Sequence, residues 1–89
     1  MTARVRYLAQ LRRLAGRAFD EAEIEWPQTV EEVVRAIARR NPTVSAHLLN
    51  EEGRMRRSVL VFQGEEQLHG VTLLQGPCEL DVMTPIAGG

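Results

Sequence analysis

Thr29-Val30-Glu31-Glu32-Val33-Val34-Arg35-Ala36-Ile37-Ala38-Arg39-Arg40-Asn41-Pro42 is the stretch whose reading decides the fold. Val30, Val33, Val34, Ile37 and Ala38 recur at helical spacing and form one apolar stripe. Thr29 is a capping residue, and Glu32 three positions on completes a capping box that satisfies two orphan amides of the helix. The far end is marked as clearly. Pro42 pushes Asn41 out of the helical region, and Arg39 and Arg40 suit the negative end of the helix dipole. Such a helix must bury its stripe, and in this chain the surface available for that is a sheet.

Working outward, the flanking segments supply the strands. Upstream, Arg4 to Leu11 alternates, with Val5, Tyr7, Ala9 and Leu11 on one parity and Arg4, Arg6, Leu8 and Gln10 on the other. That is the pattern of a half-buried strand, with Leu8 the one apolar residue on the wet side. Leu11 to Gly16 reads as a turn or irregular loop. Glu21 to Trp26 alternates again, placing Ala22, Ile24 and Trp26 inward, and Pro27 ends it. The two runs pair most simply as an antiparallel hairpin. Downstream, Thr43 to Arg57 is polar, with a short helical turn at Val44 to Leu49 and a turn at Glu52-Gly53. Ser58 to Phe62 is strongly β-prone, Gln63 to Glu66 reads as a turn, and His69 to Pro77 as a loop. Glu79 to Thr84 is the last strand, with Leu80 and Val82 inward, and Pro85 stops it.

Hairpin, helix, strand and final strand, with a right-handed crossover, fold most economically into a mixed sheet of four to five strands. One main helix then lies across one face. This is an α+β, β-grasp (ubiquitin-like) layout, although periodicity alone leaves other α+β topologies open. The expected organisation is a β-grasp domain over residues 1–85 and a flexible tail over residues 86–89.

Composition sets the limits on function. Eighty-nine residues make one small domain, and its surface-to-volume ratio leaves little material for a deep, walled pocket. An autonomous enzyme is not expected. Eleven basic against twelve acidic side chains give a net charge of −1, so no nucleic-acid partner is expected. No membrane partner is expected either: the longest apolar run, Val59 to Phe62, is four residues. Met1 to Arg17 carries five arginines and no acid, as a targeting peptide does, but its strand-like alternation argues for a place in the fold. The single cysteine, Cys78, excludes an internal disulfide framework and suits a reducing, cytoplasmic setting.

Most chemistry-bearing residue types are poorly placed for catalysis. His47, His69 and Cys78 have no metal-site spacing, so no metal is expected. Cys78 has no histidine near it in sequence, and the paired glutamates Glu31/Glu32, Glu51/Glu52 and Glu65/Glu66 read as solvated charge. Arginines cluster at Arg12/Arg13/Arg17, Arg39/Arg40 and Arg54/Arg56/Arg57, and the chain has no lysine. Gly88-Gly89 is different. Two glycines pack no side chain and lose much backbone entropy when ordered, yet without Cβ atoms they thread a narrow slot and present an unshielded carboxylate. ATP can activate that group to an acyl-adenylate, and a sulfur donor can convert it to a thiocarboxylate.

Tyr7-Leu8-Ala9-Gln10-Leu11-Arg12-Arg13-Leu14-Ala15-Gly16, Thr29-Val30-Glu31-Glu32-Val33 and Met83-Thr84-Pro85-Ile86-Ala87-Gly88-Gly89 together resemble the small subunit of molybdopterin synthase and its ubiquitin-like sulfur-carrier relatives. The resemblance spans the whole chain. It departs at Gln63-Gly64 and at Gln75-Gly76-Pro77-Cys78-Glu79, where that family commonly has Asn-Gly and Asp-Gly-Asp-Glu. The stretch Asn50-Glu51-Glu52-Gly53-Arg54-Met55-Arg56 also looks like carriers serving cysteine biosynthesis or tRNA thiolation.

The resemblance implies an activation cycle. Gly89, supported by Gly88, is adenylated by a ubiquitin-activating-like enzyme that consumes ATP, while the chain itself binds no cofactor. Sulfur arrives from a persulfide through a cysteine desulfurase or rhodanese. In molybdopterin synthesis the tail enters the large synthase subunit, in an expected heterotetramer, and the small subunit acts as a co-substrate. A carrier for another pathway, thiamin included, or a protein modifier remains the alternative, as does an interaction domain with an incidental Gly-Gly end. The strand parities add a docking surface, with Leu8 and Met83 exposed side by side and Leu60 or Phe62, or Leu68, extending the spot. Pro85, Ile86 and Ala87 carry the chain from there into the partner.

Overall fold

The computed structural model describes residues 1–85; residues 86–89, expected as a tail, lie outside them. In chain order the elements are β1 (Thr2–Tyr7), α1 (Gln10–Ala15), β2 (Phe19–Glu23), β3 (Gln28–Thr29) and α2 (Val30–Arg40). There follow α3 (Pro42–Leu48), β4 (Leu60–Gln63), β5 (Glu66–Leu68), β6 (Leu73–Leu74) and β7 (Cys78–Met83). Five strands form one mixed sheet in the order β2-β1-β7-β4-β5, with β1 and β7 parallel at its centre and the other pairs antiparallel. β3 and β6 form a separate two-stranded ribbon. This is the β-grasp.

The helix α2 forms as its sequence dictates. Thr29 Oγ1 accepts from the Glu32 amide at 3.2 Å, and the Glu32 carboxylate accepts from the Thr29 amide at 2.8 Å. The next two amides are met from outside the helix, Val30 by the Thr72 carbonyl at 2.9 Å and Glu31 by the Gly70 carbonyl at 3.0 Å. Val30, Val33, Val34, Ile37 and Ala38 are all buried, against Ala3, Val5, Tyr7, Leu80 and Val82 of the two central strands among others. Replacing Thr29 by Ala removes the side-chain half of the cap. It is expected to cost about 1 kcal/mol and to lower the midpoint of a thermal melt by about 4–8 °C in a domain this size.

Several expectations are corrected, among them the second strand, read over Glu21 to Trp26 but running Phe19–Glu23. The alternation continued through Ala9 and Leu11, but β1 ends at Tyr7 and the turn or loop expected from Leu11 to Gly16 is the helix α1. Ala9 turns the chain at φ 52°, so Leu11 reaches the core from a helix rather than a strand. Gly16, at φ 73°, closes α1 in the left-handed region that glycine adopts without a Cβ penalty. The turn expected from Gln63 to Glu66 joins β4 to the unexpected short strand β5 in a hairpin, and the loop expected from His69 to Pro77 contains β6, whose pairing with Gln28–Thr29 secures the start of α2.

Candidate functional site

Because β1 and β7 are parallel, both finish at the same end of the sheet. The Leu8 amide donates to the Val82 carbonyl at 3.0 Å, which carries the Tyr7–Val82 register one residue further and sets Leu8 beside Met83. Met83 in turn pairs with Leu60 on β4. Side chains alternate across a sheet, so with Tyr7, Val82 and Val61 in the core, Leu8, Met83 and Leu60 form a row on the face away from α2. Phe62, opposite Asp81, stands one rung behind. All four are half-buried, rather than exposed as expected of Leu8 and Met83.

Leu68 is not part of this row. It was expected to extend the apolar spot, but it pairs with Val61 on the core-facing parity and is buried. Pro85 is exposed just beyond β7. Ile86, Ala87, Gly88 and Gly89 lie outside the described residues.

Behind the row the same face is ionic. Arg6 meets Asp81 through two hydrogen bonds, at 2.6 and 2.9 Å, and Arg4 meets Glu21 at 3.1 Å while its guanidinium lies 4.2 Å over the Phe19 ring. The hydrogen bond and charge of Asp81 raise the Arg6 pKa further above its ordinary value. The outward positions therefore divide into a charged lattice over the middle of β1 and β7 and an apolar row at their common end.

Sequence reading missed a buried polar network under that end. The Tyr7 hydroxyl donates to Asp20 Oδ2 at 2.6 Å, Asn41 Nδ2 donates to the same oxygen at 3.1 Å, and Arg17 Nε stands 3.0 Å from Asp20 Oδ1. The network ties β1, β2 and the junction of α2 with α3. Burial, then the hydrogen bond to Asp20, pushes the Tyr7 pKa far above its usual range, so the hydroxyl is a permanent donor. The cue was available: Asp20 occupies the inward parity of β2 with Ala22, where a carboxylate needs partners.

Cys78 lies at the start of β7 opposite Ala3, half-buried, and desolvation pushes its thiol pKa up, the reverse of what a reactive thiolate needs. Among the described residues no group of metal-binding side chains comes together, and no helix is long and apolar enough to cross a membrane. The described residues thus place an apolar row of half-buried side chains beside the end of β7.

A model of the ThiS family matches residues 5–89. Among solved structures, the small archaeal modifier protein 1 (SAMP1) of Haloferax volcanii superposes with a TM-score of 0.86 at 18% identity, covering all of both chains. The SAMP1 of Methanosarcina acetivorans gives 0.77 at 20% identity over 99% of this chain and 96% of its own. A candidate molybdopterin converting factor subunit 1 from Pyrococcus furiosus gives 0.72 at 20% identity over 97% and 99%. These likenesses establish the ubiquitin-like fold. No curated protein matches the chain by sequence.

Proposed function

The chain belongs to the ThiS family of ubiquitin-like sulfur carriers, and from that premise we propose that it carries sulfur on Gly89 as the small subunit of molybdopterin synthase. The observation that supports this most is the reach of the family match, which runs through Pro85-Ile86-Ala87-Gly88-Gly89 and not only through the folded body. In the proposed cycle the Gly89 carboxylate attacks the α-phosphorus of ATP on an activating partner, expelling pyrophosphate. The terminal sulfur of a persulfide then attacks the acyl carbon and AMP leaves. A second thiol reduces the resulting acyl disulfide, releasing the thiocarboxylate and a new disulfide on the donor. The chain is a co-substrate in this scheme, and the catalytic groups belong to its partners. It works in the cytoplasm, where thiols stay reduced.

The apolar row is the handle in this reading. Leu8, Met83 and Leu60, with Phe62 behind, grip the activating enzyme and then the large synthase subunit, while Pro85, Ile86 and Ala87 lead the terminus into the active site. Leu8→Asp or Met83→Asp is expected to raise the KM of the carrier in adenylation about tenfold or more, as loss of an interface anchor does. The melting midpoint should drop by no more than about 4–8 °C, the equivalent of about 1 kcal/mol, since neither residue lies in the core.

Co-expression with an activating enzyme and a sulfur source, followed by intact-mass measurement, tests the carrier reading. The carrier gains the mass difference between one sulfur and one oxygen. A ladder of conjugates on target lysines would instead identify a modifier, the activity named for the two archaeal neighbours. Co-purification of the large synthase subunit separates molybdopterin synthesis from cysteine, tRNA or thiamin pathways.

A further inference from the structure

The end of the sheet from which β7 departs is also its basic end. No acidic residue occurs before Asp20 or between Glu32 and Glu51, and the fold gathers arginines of these stretches into one place. α1 begins two residues after Leu8, contacts β7, and carries Arg12 and Arg13. Arg17 follows, and its Nη2 donates to the Arg40 carbonyl at the end of α2 at 3.5 Å. The Asn41 side chain donates to the Ala15 carbonyl at 3.4 Å and holds α1 against that helix end. All four arginines are exposed. Arg17 is paired with Asp20, whereas Arg12, Arg13 and Arg40 form no ion pair among the described residues. Arg12, Arg13 and Arg17 line a shallow depression together with Ala9 and Ala18.

We infer that Arg12, Arg13, Arg17 and Arg40 form a second docking surface, which takes an acidic rim on the protein that receives the C-terminal segment. The inference rests on the carrier reading. A protein carboxylate surface is favoured over a nucleic acid by charge. The chain is net negative, and exposed Glu21, Glu23, Glu51, Glu52, Glu65 and Glu66 elsewhere would repel a long polyanion. The planar guanidinium fork matches a carboxylate with two parallel hydrogen bonds. Set at the rim of an apolar contact, these charges speed and orient encounter, and their effect weakens with salt.

The test compares two double variants of equal net charge in ATP–pyrophosphate exchange by the activating enzyme. Arg12→Gln/Arg13→Gln removes charge at the tail end. Gln63→Glu/Gln75→Glu adds the same negative charge near the opposite end, at exposed positions. The first variant is expected to raise the carrier KM about tenfold at roughly 0.05 M salt and the second to leave it unchanged. The difference should shrink toward about 0.5 M, where the Debye length is only roughly 4 Å. An unchanged KM for the first variant, or equal effects of both, overturns the docking surface and leaves the carrier reading standing. So does binding of a single-stranded oligonucleotide that the first variant loses while its KM stays put. Failure of the wild-type chain to support exchange removes the carrier reading and this inference with it.

Discussion

A chain lacking Gly89, or extended beyond it by one alanine, forms no thiocarboxylate when supplied with the activating enzyme and a sulfur source. The reacting group of the proposed cycle is a single carboxylate whose position is set by chain length measured from β7. Deleting Gly89 draws that carboxylate back by one residue, roughly 3.3–3.6 Å, and misplacement by about 1 Å already costs about a hundredfold at a reacting centre. The added alanine places the acid too far along and brings a Cβ into a slot that glycine passes freely. Neither change touches a described residue, so the far-UV spectrum and melting curve of both variants should match the parent. Intact mass is the readout. An extended chain, shown to be untrimmed, that still gains the sulfur-for-oxygen increment would overturn the assignment of Gly89.

Asp20→Ala is expected to cost about 3 kcal/mol, the loss found when one partner of a buried charged network is removed. That is a large share of the roughly 5–13 kcal/mol a domain of this length has available, and it lowers the melting midpoint by about 12–24 °C. The carboxylate accepts from both Tyr7 and Asn41 and faces Arg17. Its removal leaves the buried Tyr7 hydroxyl without its acceptor and the Asn41 amide with only the Ala15 carbonyl. Tyr7→Phe, which removes one donor and leaves the carboxylate its other partners, should cost only about 1–1.5 kcal/mol. Urea unfolding of the two variants and their combination gives the coupling directly. Asp20→Ala within about 0.5 kcal/mol of the parent would show that the network adds no stability.

The parts of the fold legible in the chain are those whose cause is local. Thr29, Glu32 and the Val30 to Ala38 stripe act on one another across three or four residues, so the position, buried face and both ends of α2 follow from residue spacing. The same holds for Leu80 and Val82 on β7, where alternation against Glu79 and Asp81 selects the inward face. α1 was harder. The alternation through Leu11 fits a strand, and six residues are too few for helical periodicity to overrule it, although Leu11, Leu14 and Ala15 lie at helical spacing before Gly16. Ala9 at positive φ is held by the packing on either side of it and is not announced by its own side chain.

Leu68 shows the limit most plainly. Its neighbours Glu66 and Gln67 are polar and nothing in the segment selects a face; its pairing with Val61 does, across a hairpin. The Tyr7–Asp20–Asn41 network has the same origin, since its members come from three elements and their partners exist only once those elements pack. The amino-acid order by itself determined α2, the parities of β1 and β7 and the Pro-Ile-Ala-Gly-Gly ending, because each is a property of neighbours along the chain. Only the tertiary structure decided that Leu8, Met83 and Leu60 share a row, that Leu68 does not, and that a cluster of arginines stands at the same end. Strand register and parallel pairing, which no short stretch encodes, bring together residues up to seventy-five positions apart, the span from Arg6 to Asp81.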